Sequence, residues 1–219
     1  MPTAARANTI SAHSQCRPVG QVARCRVKLS ADEFLADRAQ KFEATSSSPF
    51  PAQVEAITAA VLRCLESGGK ILVFGNGGSA ALATHFSGEL VGRFLGERRP
   101  LSAISLTTDT SALTAIGNDY NYLSIFSRQI EALGRTGDLA LGLTTSGKSG
   151  SLVPAFKRAR ELGIDSAVLS GKTGGPAAEA ADIAAIVPSE ETDFIQEAQE
   201  AAIHYMCHKI DALFCEGPE

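Results

Sequence analysis

No run of apolar residues in this 219-residue chain approaches the roughly 20 needed to span a membrane, and no signal-peptide core is visible. A membrane partner is therefore not expected. The five cysteines, Cys16, Cys25, Cys64, Cys207 and Cys215, are odd in number and form no C-x-x-C. That pattern argues against a disulfide framework or a structural zinc site and for a reducing cytoplasm. Acidic residues are missing from positions 1–31, which carry Arg6, Arg17, Arg24, Arg26 and Lys28. With those five cations set aside, the net charge of −4 becomes about −9 for the remainder. An acidic surface of this kind draws neither nucleic acid nor anionic membrane.

The basic, Ser- and Ala-containing start has the composition of a transit peptide, but a disordered extension or an early start codon is the preferred reading of residues 1–30. Residues 31–219 show no internal repeat and no second domain. Their content fits one globular unit, the whole chain being 44% hydrophobic and 20% charged.

Along that unit, Ser30-Ala-Asp-Glu is expected to open a helix running to about Ala44, broken by Ser46-Ser-Ser-Pro49. A second, amphipathic helix carries Val54, Ile57, Val61 and Leu65 on one stripe and ends at Gly68-Gly69. Short apolar runs then follow at Ile71–Phe74, Ala103–Leu106, Leu139–Leu143, Ala167–Leu169 and Ile183–Val187, mostly separated by helix-length segments. Strands buried on both faces read as continuous apolar runs. The predicted fold class is accordingly α/β, a five-stranded parallel sheet flanked by helices, with Thr192 to Phe214 as a long terminal helix. Ligands of such sheets bind at the carboxyl ends of the strands, which directs attention to the segments after Phe74, Leu106 and Leu143.

After the first strand comes Gly75-Asn76-Gly77-Gly78-Ser79, leading into a helix. The glycines allow close backbone approach and the helix amino-terminus suits an anion, while a plain turn with Ser79 as N-cap is the bland alternative. The spacing is not G-x-G-x-x-G, so a dinucleotide is not expected. After the third strand, Thr144-Thr145-Ser146-Gly147-Lys148-Ser149 offers hydroxyls to a phosphate. Gly142 to Ser149 also satisfies the nucleotide pattern G-x-x-x-x-G-K-[S/T]. Gly142 falls inside an apolar run, however, and no strand ends in a magnesium-binding Asp, so no nucleotide is expected. His85 and Glu89 share a helix face four residues apart, and Gln196 and His204 lie on one side of the terminal helix. Imidazoles and a carboxylate converging on a pocket can bind a metal or move protons, although each residue alone is more often structural. Gly117-Asn118-Asp119 follows a short helical stretch and reads as a turn whose side chains suit sugar hydroxyls.

Taken together, Gly75–Ser79, His85-Phe-Ser-Gly-Glu89-Leu-Val-Gly-Arg93, Gly117–Asp119, Thr144–Ser149, Thr173-Gly-Gly175 and Ile195-Gln-Glu197 with His204 resemble the phosphoheptose isomerases of the SIS (sugar isomerase) family. The resemblance covers about residues 45–214. It implies the SIS fold and conversion of sedoheptulose 7-phosphate to D-glycero-D-manno-heptose 7-phosphate through an enediol. By the same resemblance, Asn76, Gly77 and Gly78 contact substrate, Asn118 and Asp119 hold its hydroxyls, and Ser79, Thr144, Thr145, Ser146 and Ser149 cradle the phosphate. His85, Glu89, Gln196 and His204 would bind one zinc ion per subunit. Glu89 and Gln196 would also touch substrate, and Glu89 with His204 would form the catalytic proton-transfer pair. The assembly implied is a homotetramer with active sites between subunits, to which the helices over 45–68 and 192–214 would contribute.

Three departures from the family pattern stand out. Lys148 replaces a usual Asn, Phe194 stands where some members have Arg and is expected to alter the wall beside Gln196, and the first forty or so residues have no counterpart. The rival functions are a non-catalytic SIS tetramer that binds a replication initiator or senses a sugar phosphate, and an enzyme acting on an amino-sugar phosphate. The presence of all four of His85, Glu89, Gln196 and His204 favours the heptose enzyme.

Overall fold

The computed structural model describes residues 29–215, so the basic extension foreseen at 1–30 lies almost wholly outside the described residues. Helix α1 (Ala31–Ser46) starts on a capping box. Ser30 Oγ accepts from the Glu33 N–H at 3.2 Å, and the Glu33 carboxylate accepts from the Ser30 N–H at 2.8 Å. Helix α2 (Phe50–Glu66) buries Val54, Ile57, Val61 and Leu65, the foreseen stripe.

Strands β1 (Ile71–Gly75), β2 (Ala103–Ser105), β3 (Leu139–Leu143), β4 (Asp165–Gly171) and β5 (Ile183–Val187) form one parallel sheet in the order β2-β1-β3-β4-β5. The helices between them are α3 (Gly78–Val91), α4 (Thr110–Asp119), α5 (Ser127–Leu133), α6 (Leu152–Glu161) and α7 (Gly175–Ala180), with α8 (Thr192–Phe214) closing the chain. Alternation along β1 shows why that strand is apolar throughout. Ile71 and Val73 face the core shared with α2, α3 and α8, whereas Leu72 and Phe74 face the core shared with α5 and α6.

The strand order reverses at β1, which pairs with β2 on one side and β3 on the other. The segments leaving β1 and β3 therefore diverge at the sheet's switch point, where open α/β sheets bind ligands. Gly142 pairs with Phe74 and Val168 in the middle of the sheet, and a Cβ there would run into the Phe156 ring of α6. Its smallness serves strand–helix packing, as its place in the apolar run foretold. No described helix is long and apolar enough to cross a membrane.

Candidate active site

Helix α3 begins at the switch point. Gly77 (φ +59°) occupies its N-cap, not Ser79, which is the second residue of the helix and is buried. Asn76 is held from two sides: its Nδ2 donates to Ser151 Oγ at 3.0 Å, and Tyr122 Oη donates to its Oδ1 at 2.8 Å. These bonds fix the amide's orientation and leave one N–H and one lone pair for a ligand. A cleft of about 120 Å³ opens here, lined by Asn76, Gly77, Thr107, Leu113 and Tyr122 among others.

The loop after β3 divides its hydroxyls between two tasks. Thr144 is buried; its Oγ1 accepts from the Gly147 N–H at 3.2 Å and lies 3.2 Å from Ser149 Oγ, so it shapes the loop. Thr145, Ser146 and Ser149 remain half-exposed. Gly147 adopts φ +67°, and a Cβ on it would collide with the Gly174 carbonyl. This contact, with the Ala177 N–H donating to Gly147 O at 3.0 Å, explains the Thr173-Gly-Gly175 element. Lys148 is exposed and forms no ion pair among the described residues. Lys148→Asn should accordingly leave turnover within a few-fold of wild type, and calorimetry should detect no magnesium-dependent ATP binding; micromolar binding lost in the variant would overturn this placement.

The spacing of four on α3 and α8 places two side-chain stripes face to face. His85 Nε2 lies 3.1 Å from Glu89 Oε1 on its own helix and 3.3 Å from His204 Nε2 on α8. Glu200 approaches the other ring nitrogen of His85 at 3.9 Å. Among the described residues, His85, Glu200 and His204 bring ligand atoms within 4.8 Å of one another, and all three are half-buried. A single ring nitrogen cannot donate to an imidazole and a carboxylate at once, so this convergence of acceptors suits a cation; two imidazoles and a carboxylate are a donor set that zinc accepts. Gln196 lies one turn further along the α8 stripe, its amide packed so closely on Gly78 that a Cβ there would overlap it. The Phe94 ring stacks on His204 at 5.7 Å and 25°.

Two expectations need correction. Asn118 and Asp119 do not follow the helix but form the last turn of α4, where Asn118 Nδ2 donates to Asp119 Oδ1 at 2.8 Å; both are exposed and share no hydrogen bond with the other expected site residues. Phe194 does not wall the site. It is 1% exposed and packs edge-on against Phe42 of α1, 5.1 Å between centroids. Glu200 was overlooked although it stands midway between Gln196 and His204 in the same four-residue spacing. Tyr122, Ser151 and the buried Gln199, whose Nε2 donates to Thr144 O and Leu169 O at 2.8 and 3.1 Å, carry no comparable signal in the sequence.

A family model described as SIS domain matches residues 33–171. The phosphoheptose isomerase of Aquifex aeolicus is 48% identical over 164 residues, 75% of this chain and 86% of that protein. That of Campylobacter jejuni is 53% identical over 151 residues, 69% and 81% of the two chains. The chain belongs to the phosphoheptose isomerase family. The structure of the phosphoheptose isomerase from Neisseria gonorrhoeae superposes with a TM-score of 0.76 at 41% identity, covering 83% of this chain and 96% of that one. As a phosphoheptose isomerase by family, this chain is a sugar-phosphate isomerase, and its five-stranded parallel sheet is the fold those enzymes share.

Proposed function

We propose that the enzyme converts sedoheptulose 7-phosphate to D-glycero-D-manno-heptose 7-phosphate through an enediol, acting in the cytoplasm as a homotetramer with residues 31–219 as its single SIS domain. The observation that carries this reading is the meeting of Glu89, His85 and His204 between α3 and α8, beside the loops that leave β1 and β3. Glu89 removes the proton from the carbon next to the ketose carbonyl and returns one to the neighbouring carbon. His204 passes a proton between the two substrate oxygens, a task imidazole performs near neutral pH. Ser79, Thr144, Thr145, Ser146 and Ser149 form the phosphate cradle, and Asn76, Gly77, Gly78, Asn118 and Asp119 receive the sugar. Of the cradle, the half-exposed hydroxyls of Thr145, Ser146 and Ser149 are free to face the anion.

His85, Glu89, Gln196 and His204 are the proposed zinc ligands, Glu89 and Gln196 also meeting substrate. The bound ion would supply Lewis-acid stabilisation of the negative charge that develops on the enediolate.

Two features support sites shared between subunits. The cleft of about 120 Å³ is well below the roughly 300–1,000 Å³ of ordinary ligand pockets, which is in keeping with walls completed by a second chain. An apolar groove lined by Phe42, Phe50, Val54, Ala202 and Tyr205 also runs along α2 and α8, the helices expected between chains, with α1 on its flank. In deuterated water, the enzyme should wash label into the carbon-bound position beside the substrate carbonyl, and light scattering on the same sample should give a tetramer. Turnover without such exchange would mean that Glu89 returns the proton it removed before solvent replaces it, and a fully active monomer would exclude shared sites.

A further inference from the structure

We infer that Tyr122 is a positioning residue for sugar recognition in this enzyme: its hydroxyl fixes which end of the Asn76 amide the substrate meets. The inference rests on the isomerase reading above, in which Asn76 receives the sugar, and deepens it with a residue outside the expected site set. An amide side chain turns by about 180° at little cost, because the torsion at its sp² carbon is roughly two-fold. Unless its neighbours tell oxygen from nitrogen, such a group offers a sugar hydroxyl a donor in one orientation and an acceptor in the other.

Three segments meet on Asn76. It stands in the loop after β1, and its Nδ2 donates at 3.0 Å to Oγ of Ser151, the residue that precedes α6 at the far end of the loop after β3. Ser151 is 1% exposed, so this partner is built into the fold. A serine hydroxyl donates as readily as it accepts, however, and cannot by itself distinguish the two ends of the amide. Tyr122 supplies the distinction. It opens the short 3₁₀ turn Tyr122–Ser124 after α4, and its Oη donates to Asn76 Oδ1 at 2.8 Å. A phenol, with an ordinary pKa of about 10, is far more acidic than an alcohol and is the better donor. It therefore selects the amide oxygen and leaves the nitrogen to Ser151. The turn that carries Tyr122 is itself seated, since Leu123 Cδ2 packs so closely on Gly150 that a Cβ there would come within 2.7 Å of it. Both partners of the amide thus belong to one packed unit on the cleft that Asn76, Gly77 and Tyr122 line. One N–H of Asn76 remains, and the oxygen of a sugar hydroxyl is an acceptor that suits it.

The competing account is that Tyr122 merely fills the cleft wall or touches the sugar itself. A double-mutant cycle separates the two. Steady-state kinetics with sedoheptulose 7-phosphate are measured on wild type, Tyr122→Phe, Asn76→Ala and the double variant, with inorganic phosphate as a competitive inhibitor that reads the phosphate loop alone. Tyr122→Phe keeps the ring and removes only Oη. It should raise KM about 3–10-fold, the range for one neutral hydrogen bond, while kcat stays within about twofold. Inhibition by phosphate should be unchanged, because that loop is untouched. Asn76→Ala should raise KM at least as much as Tyr122→Phe does. Adding Tyr122→Phe to it should then change KM by less than about twofold, since the hydroxyl has lost the group it orients. An equal rise of KM in both backgrounds would show that Oη meets the sugar directly, and an unchanged KM in Tyr122→Phe would show that the amide needs no such partner. Parallel weakening of phosphate inhibition would show a damaged loop. Each of these three results would strike the positioning role while turnover by wild type upholds the isomerase reading; absence of wild-type turnover would remove both.

Discussion

Replacing Glu89 by Gln should lower kcat by at least ~10²-fold, since a positioned general base contributes ~10²–10⁴-fold. The substitution keeps the side chain's shape beside His85, from which the carboxylate is 3.1 Å distant, and removes only its ability to take a proton. KM should change far less, because the reading proposed above assigns the phosphate to the loop after β3 and the sugar to the loop after β1. That split separates a lost base from a damaged pocket. His204→Gln should behave similarly, with a kcat loss of ~10²-fold or more, through loss of the titrating imidazole. Zinc content has to be determined on the same samples, because metal loss would lower the rate by another route. Solvent-deuterium exchange reads the step directly: the Glu89 variant should stop washing label into substrate. A variant that keeps its zinc, binds substrate and turns over within a few-fold of wild type would show that Glu89 is not the base.

Asp211→Ala should destabilise the fold by about 3–5 kcal/mol, the usual cost of stranding a buried charge, which corresponds to a fall in Tm of roughly 6–20 °C for a domain of this size. Arg98 is the charge at risk. Its side chain is 1% exposed; Nε donates to Asp211 Oδ1 at 2.9 Å, while its terminal nitrogens donate to the carbonyls of Glu89 (2.7 Å) and Leu90 (3.0 Å) at the end of α3. The other Asp211 oxygen accepts from the Leu95 and Gly96 N–H groups at 3.0 and 2.8 Å. One carboxylate on α8 thus fixes the segment after α3, including Phe94 against His204, and keeps the two stripes of the active site in register.

Burial pushes the Asp211 carboxyl upward, but the Gly96 and Leu95 N–H groups and the Arg98 guanidinium outweigh it and hold the group below the usual carboxylate range. A depressed value in the folded state gives stability that is complete above the unfolded value of about 3.9 and is lost as pH falls through the folded one. Urea unfolding of wild type should therefore weaken on acidification below about pH 4, and Asp211→Asn should lack that part of the acid response. Parallel loss in both proteins would assign the acid sensitivity elsewhere.

The sheet was legible because its central strands β1, β3 and β4 are buried on both faces and so announce themselves as short apolar runs. Ile71–Phe74, Leu139–Leu143 and Ile183–Val187 agree with the observed strands to within a residue. The glycine turn after β1 and the hydroxyl loop after β3 were legible for a related reason: backbone close to a ligand or to another loop demands glycine, as Gly147 against Gly174 shows. What escaped was whatever depends on how distant segments meet. Spacing put His85 and Glu89 on one face and Gln196 and His204 on another, but only packing of α3 on α8 brings His85 Nε2 to 3.3 Å from His204. Phe194 illustrates the opposite error. Adjacency in sequence to Gln196 suggested the pocket wall, yet a helix turns by about 100° per residue, so Ile195, Phe194 and Gln196 point in different directions and Phe194 meets α1. Asn118 and Asp119 were read as a turn because their composition favours one, and the helix α4 simply continues through them.

The central claim, a heptose phosphate isomerase working with Glu89 and His204, is tested most directly by product identification. Purified protein is incubated with sedoheptulose 7-phosphate, with and without zinc and with no nucleotide present, and the mixture is followed by NMR. The account predicts conversion to D-glycero-D-manno-heptose 7-phosphate until equilibrium is reached, catalysed by wild type and not by Glu89→Gln. Absence of any aldoheptose 7-phosphate under both metal conditions, from a folded tetramer that instead captures a replication initiator protein, would contradict it.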